Sequence, residues 1–203
     1  MEILVDGEKH VLLHADPGTV GAALLEISQF LDANGRALQR IEADGREVAA
    51  EEITQAFGAT PITEITTLEI TSADTRDLAR ESLDELAEVV PELPVACQQL
   101  AALLSGDTEQ EALEGFDNLL EIWAVLKDRQ AQVLSALALD SAELQVEDSS
   151  LAQRNQDLEN QLRSARQARH QMDLATLSDL MSYELAPLAE LEIAIIALLK
   201  SKL

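Results

Sequence analysis

Residues 65–90 read ITTLEITSADTRDLARESLDELAEVV, and the change of period inside this stretch decides the fold. Up to Ile70 the residues alternate, with Ile65, Thr67 and Glu69 on one side and Thr66, Leu68 and Ile70 on the other, which is the period-two pattern of a strand. From Asp74 the period becomes helical: Asp74 stands as N-cap, and Leu78, Leu83, Leu86 and Val90 carry an apolar face as far as Pro91. The switch at Ser72–Asp74 predicts a small mixed domain over residues 1–73 and a helical domain over 74–203. The expected fold class is α+β, with the sheet domain first and an antiparallel helical bundle after it.

Upstream of the switch, Ile3, Leu4 and Val5 lead into Asp6-Gly7, and Val11, Leu12 and Leu13 follow Glu8-Lys9-His10. Asp-Gly between two apolar runs predicts a hairpin, because both residues accept the positive φ of a tight turn. Asp16-Pro17-Gly18 closes the second strand. Thr19 then caps a helix whose apolar positions Val20, Ala23, Leu24, Ile27, Phe30 and Leu31 recur every three or four residues, with Asn34-Gly35 as its C-cap. Leu38 to Ala43 reads as a third strand, turned by Asp44-Gly45 towards Val48. Glu51 to Phe57 reads as a short helix ended by Gly58. His10 and His14 fall on one face of the second strand but over ~13 Å apart, too far to share a metal, and read as surface histidines.

This order of hairpin, helix, strand, short helix and strand resembles the ubiquitin-like β-grasp fold. Asp6-Gly7 lies in the hairpin, Thr19-Val20-Gly21 opens the helix and Asp44-Gly45 follows the third strand. The resemblance covers the chain up to the switch and rests on element order. It implies a rigid protein-binding face. Conjugated and sulfur-carrying members of that fold end in a free Gly-Gly tail, whereas here Thr71-Ser72-Ala73 runs straight into helix. The resemblance therefore implies binding rather than conjugation or sulfur transfer.

Downstream, Glu92-Leu93-Pro94 predicts a break, because proline removes a backbone donor and disfavours helix in the residue before it. Val95 to Leu104 forms the next helix, ended by Ser105-Gly106, with Asp107 or Thr108 capping its successor. The longest helix is expected over Glu109 to Leu139, where Leu113, Phe116, Leu120, Trp123, Leu126, Val133, Leu134 and Leu137 make a broad stripe. Trp123 reads as a bundle core residue, with an exposed partner-binding anchor as the alternative. Residues 144–170 carry a narrower stripe of Leu144, Leu151, Leu158, Leu162 and Ala165, interrupted by Asp148, Asn155 and Arg169. They are expected to form an exposed polar arm or edge helix. Arg163, Arg166 and His170 share one face of it, with Arg169 adjacent. This cationic patch is expected to pair with acids of the preceding helices, or to dock an acidic partner or a second copy. The last helix opens after Met172-Asp173, and Pro187 is expected to kink it and free the Tyr183 carbonyl.

The chain of 203 residues has a formal charge of −24, yet 47% of it is hydrophobic and only 2% aromatic, so its core must be aliphatic. The first 121 residues hold 26 acids and 6 bases, which argues against nucleic acid and favours basic partners. Cys97, the single cysteine, sits in an apolar run and reads as a buried hydrophobe. No run approaches the ~20 apolar residues needed to span a bilayer, and no signal peptide is expected, so a cytoplasmic location is. The final Ser201-Lys202-Leu203 spells a peroxisomal address, with nothing else pointing to an organelle. No phosphate loop, Glu-x-x-His pair or nucleophile elbow stands in the sequence, so no cofactor, metal or catalytic residue is expected. The leading expectation is a bacterial-type, non-catalytic adaptor or scaffold that binds proteins, with a homo-oligomer through the helical domain as one option. A secretion or assembly chaperone shielding an amphipathic client segment comes second, and an enzyme with an unrecognised site third.

Overall fold

The protein is described here by a computed structural model covering residues 2–10, 17–49, 52–53, 56–104, 106 and 108–203. Val11, Leu12, Leu13, His14 and Asp16 of the expected second strand, Glu51 of the short helix, Ser105 and the capping candidate Asp107 lie outside the described residues. The chain has the α+β layout, and it divides into two compact units, Met1–Leu78 and Ala79–Leu203.

The first unit is a five-stranded mixed sheet with one helix. Its elements are β1 (Glu2–Val5), β2 (Glu8–Lys9), α1 (Val20–Ala33), β3 (Arg36–Ala43), β4 (Arg46–Glu47) and β5 (Thr67–Asp74), in the sheet order β2-β1-β5-β3-β4. The central pair β1 and β5 is parallel, and the other pairings are antiparallel. Asp6 and Asp44 take positive φ of 53° and 49°, each followed by a glycine at about 80°, as the Asp-Gly turns require. Thr19 Oγ1 accepts the Ala22 N–H at 3.3 Å and so caps α1. The inner face of α1, with Val20, Leu24, Ile27 and Leu31, packs with Ile3, Val5, Ile41, Leu68 and Ile70 into one core. Phe30, expected on that face, is instead half exposed, with its ring centroid 4.8 Å from that of His10. Of the expected short helix, residues 52–53 are helical, residues 51, 54 and 55 lie outside the described residues, and Phe57–Ala59 forms a 3-10 turn with Gly58 inside it. A Cβ on Gly21 would come within 2.8 Å of the Gly58 carbonyl oxygen, so the backbone approach here needs glycine.

The second unit is helical. Its elements are α2 (Thr75–Val89), α3 (Glu92–Leu103), α4 (Glu109–Ala136), a hairpin of β6 (Gln145–Val146) and β7 (Ser149–Ser150), α5 (Leu151–Gln171), α6 (Leu174–Asp179), a π-helical stretch Leu180–Leu185, and α7 (Ala186–Lys200). Asp74 Oδ1 accepts the N–H groups of Arg76 and Asp77 at 2.8 and 3.4 Å, so β5 passes into α2 with no linker. Pro91 stands between α2 and α3, as expected of the end of the first helix, but the break expected at Glu92-Leu93-Pro94 is absent. Pro94 is the third residue of α3, in the first turn, where its missing N–H has no intrahelical partner to lose. Of the two alternatives for residues 144–170, the structure has the edge helix rather than the exposed arm. The first part is the β6–β7 hairpin, and α5 buries Leu151, Leu158, Leu162, Ala165 and Ala168 in the bundle core while its other face stays polar.

Pro187 acts through register rather than a simple kink. The Ala186 N–H bonds to the Met181 carbonyl, an i→i−5 bond, because the preceding turn is π-helical. In that register the missing Pro187 N–H orphans the carbonyl of Ser182, not that of Tyr183. Gln98 Nε2 on α3 donates to the Ser182 carbonyl at 3.1 Å and satisfies it.

The inward positions of β5 are Leu68, Ile70 and Ser72, so the row that closes the sheet core ends on a hydroxyl that is 6% exposed. Every polar atom of Ser72 is matched. Its N–H donates to Asp6 Oδ1 at 2.8 Å and its hydroxyl donates to Asp6 Oδ2 at 2.6 Å. Arg36 donates Nε to the Ser72 hydroxyl at 2.7 Å and Nη2 to the Ser72 carbonyl at 2.9 Å. Asp6 and Arg36 also pair directly at 3.2 Å. The network fastens the β1–β2 turn and the start of β3 to the end of β5. The Ser72 donors, then Arg36, hold the Asp6 carboxyl below its ordinary value of 3.8. A carboxyl depressed on folding adds stability that is present above about pH 3.8 and lost as pH falls through the lower folded value. Asp6→Asn keeps the turn conformation but loses this linkage. In urea denaturation its deficit against wild type is expected to be full above about pH 5 and to shrink at more acid pH.

Candidate protein-binding groove

The 28-residue helix α4 opens with Glu109 and Glu111 in its first turn, where carboxylates suit the positive end of the helix dipole. It buries Leu113, Phe116, Leu119, Trp123, Leu126 and Val133 in the bundle. Beside this stripe runs a second row at i, i+4, i+7 and i+11, namely Asn118, Ile122, Val125 and Arg129. That row faces the outer side of α2 across a groove of about 750 Å³. Leu86, Val90, Leu93 and Leu126 form its buried floor. Val89, Ile122 and Val125 line it at 52%, 44% and 56% exposure. Glu85, Glu88 and Glu121 stand on its rim, with Arg129 paired to Glu85 at 2.5 Å. Scattered exposed aliphatic residues are ordinary on a protein surface. Three of them gathered in one concavity with a polar rim make this groove the candidate interaction site.

On the other flank of α4 the core contains charge. Lys127 Nζ donates to Glu192 Oε1 on α7, to Gln130 Oε1, and to Asn155 Oδ1 on α5. Gln130 Nε2 donates to Glu192 Oε2 at 2.6 Å. Glu192 is only 3% exposed, and three ammonium protons meet three acceptors. Burial lowers the pKa of Lys127, and the Glu192 charge works against that shift. Asn155, a polar interruption of the α5 stripe, is thus a partner in this network. Cys97 is fully buried, and burial pushes its thiol up to about 11, which leaves it without nucleophilic character at neutral pH.

The partner-binding residues expected from sequence fall in two places, the bundle core and α5. Trp123 is 1% exposed and belongs to the core, so it offers no surface anchor; its indole N–H has no hydrogen-bond partner among the described residues. Arg169 pairs with Asp117 on α4, an acid of a preceding helix as expected, whereas Arg163 pairs with Glu159 one turn back on α5 itself. Arg166 shares with Trp123 and Lys127 the lining of a smaller hollow of about 340 Å³. His170 is exposed near the end of α5. Arg163, Arg166 and His170 thus stand exposed at i, i+3 and i+7 on one helix, with Arg169 half-buried beside them. The groove residues Ile122 and Val125 went unread because the main stripe of α4 was satisfied without them, although their i, i+3 spacing and the Asn118 and Arg129 flanks were visible. Among the described residues no group of three or more His, Cys, Asp or Glu side chains is placed to hold a metal ion. Among them, too, no helix is long and apolar enough to cross a membrane.

Removing one partner of a buried ion pair leaves the other charge uncompensated, which costs about 3–5 kcal/mol, whereas replacing both by apolar residues is close to neutral. Lys127→Met is expected to lose about 3 kcal/mol by chemical denaturation, less than the upper value because Lys127 is partly exposed. Adding Glu192→Leu to it is expected to restore most of that loss.

Residues 1–74 match the family model described as TP0873 N-terminal domain, and residues 81–191 match the one described as Domain of unknown function (DUF8042). No curated protein and no solved structure matches the chain. The second match contains every residue that lines the α2–α4 groove, and it ends one residue before Glu192. Since it spans more than half of the 203 residues, the chain belongs to the DUF8042 family.

Proposed function

We propose that this protein is a non-catalytic, cytoplasmic adaptor or scaffold that binds other proteins through its helical unit. The observation that carries the reading is the α2–α4 groove, where Val89, Ile122 and Val125 stay about half exposed above a buried aliphatic floor. Covering such a residue fully is worth roughly 1 kcal/mol beyond its present burial, so three together give a hydrophobic centre that an acidic rim can orient. The same acids speak against a nucleic-acid partner, because they would repel phosphate. The sheet unit is proposed as a ubiquitin-like β-grasp head, a reading supported by the strand order with a parallel central pair. Its last strand continues into α2, which favours a binding use of the head over transfer through a free tail.

The chaperone reading draws on the same groove, since an amphipathic segment of an unfolded client would seek such a surface. The two differ in whether the bound partner is folded.

A photo-crosslinking residue placed at Val125 in the full chain, expressed in its native host, tests the adaptor reading. Discrete protein adducts from Val125, reproduced with the purified folded partner and missing from a control at exposed Gln167, are expected. No adduct, or the same adducts from both positions, would contradict it.

A further inference from the structure

We propose that the occupant of the α2–α4 groove is an amphipathic helix of a partner protein, basic on the flanks of its apolar stripe. This rests on the protein-binding reading above and adds the chemistry of the partner. The groove lies between two helices, and its exposed apolar residues Ile122 and Val125 follow one another at helical spacing, with Val89 opposite. An entering helix presents side chains at i, i+3, i+4 and i+7, a row that fits between two such ridges. Glu88 and Glu121 stand on opposite sides of the groove with no ion pair or hydrogen bond among the described residues, while Glu85 has Arg129. Residues 74–121, which supply most of the lining, hold 13 acids against 2 bases. Lys or Arg beside the apolar stripe of the occupant would meet these carboxylates at the rim, where the pairing orients and steers rather than supplying most of the affinity.

A second copy of the chain fits poorly. Groove against groove would bring Glu85, Glu88 and Glu121 of both copies together in a protein already at −24. The cationic residues of α5 do not supply the missing half either. Arg163 and Arg166 lie on its polar outer face, and the leucines of that helix are turned into the bundle.

The test uses the full-length protein and a fluorescent peptide of about 20 residues, made of Leu and Lys in the helical i, i+3, i+4, i+7 pattern. Its controls are a scrambled peptide of the same composition and a Leu–Glu peptide in the original pattern. Fluorescence anisotropy is expected to show binding of the patterned Leu–Lys peptide alone, with helical circular dichroism gained on binding. Val125→Glu separates groove binding from general attraction to an acidic protein. It makes the protein more acidic, yet is expected to weaken the peptide about tenfold, and Glu88→Lys with Glu121→Lys is expected to weaken it similarly. Equal binding of the scrambled peptide, or unchanged or tighter binding to Val125→Glu, would overturn the proposal. So would preference for the Leu–Glu peptide, or a dimer in sedimentation that Val125→Glu dissolves. If these outcomes appear while the Val125 crosslink still finds a folded partner, the adaptor reading stands and only the partner's chemistry is wrong.

Discussion

Helix α4 has more apolar surface than one core can cover, and much of the helical unit follows from that constraint. Its main stripe from Leu113 to Val133 is taken up by the bundle. What remains is a strip through Ile122 and Val125 that stays about half exposed and lines a groove with α2. A chain with 2% aromatic residues cannot close such a gap with one large ring. It leaves a groove with an aliphatic floor, and the acids that keep the protein soluble stand around it. Surface that would be a liability on a neutral protein is in this way both exposed and guarded by charge.

Each unit also has a polar knot, built around buried Ser72 in one and buried Gln130 and Glu192 in the other, that fixes how its elements meet. In the sheet unit, Ser72 with Asp6 and Arg36 joins the first turn to the third and last strands. In the helical unit, Lys127, Gln130, Asn155 and Glu192 join α4, α5 and α7. Aliphatic contacts are non-directional and tolerate slippage. A satisfied network in low dielectric does not, because a shift of one residue leaves a polar group unpaired. Gln98 holding the Ser182 carbonyl does the same for the π-helical turn before Pro187.

Local signals with a chemical cause were legible in the sequence. The Asp-Gly turns, the Thr19 and Asp74 caps and the limits of α4 depend on residues next to one another, and they stand within a few residues of expectation. The strand-to-helix switch was read from periodicity alone. The α5 segment was harder, because a narrow stripe does not tell whether a helix lies on a bundle or extends from it; its packing depends on Lys127, 28 residues away from Asn155 in sequence. Pro94 was misread because a proline in the first helical turn and one at a break look alike without the start of the helix. The candidate site was the least legible part. The arginines of α5 drew attention as rare charges, but two of them are consumed by Glu159 and Asp117. The groove arises because Val89 and Val125 line one hollow from two different helices, and no single helix announces it.

The methyl groups lining the groove offer the most direct check that it is a binding surface for a helix. In methyl NMR of the full chain, titrated with the patterned Leu–Lys peptide, the resonances of Val89, Ile122 and Val125 are expected to shift together and saturate. Those of Val95 and Ile193, exposed to a similar degree elsewhere in the helical unit, are expected to stay in place. Shifts spread evenly over all five residues, or confined to Val95 and Ile193, would contradict the account.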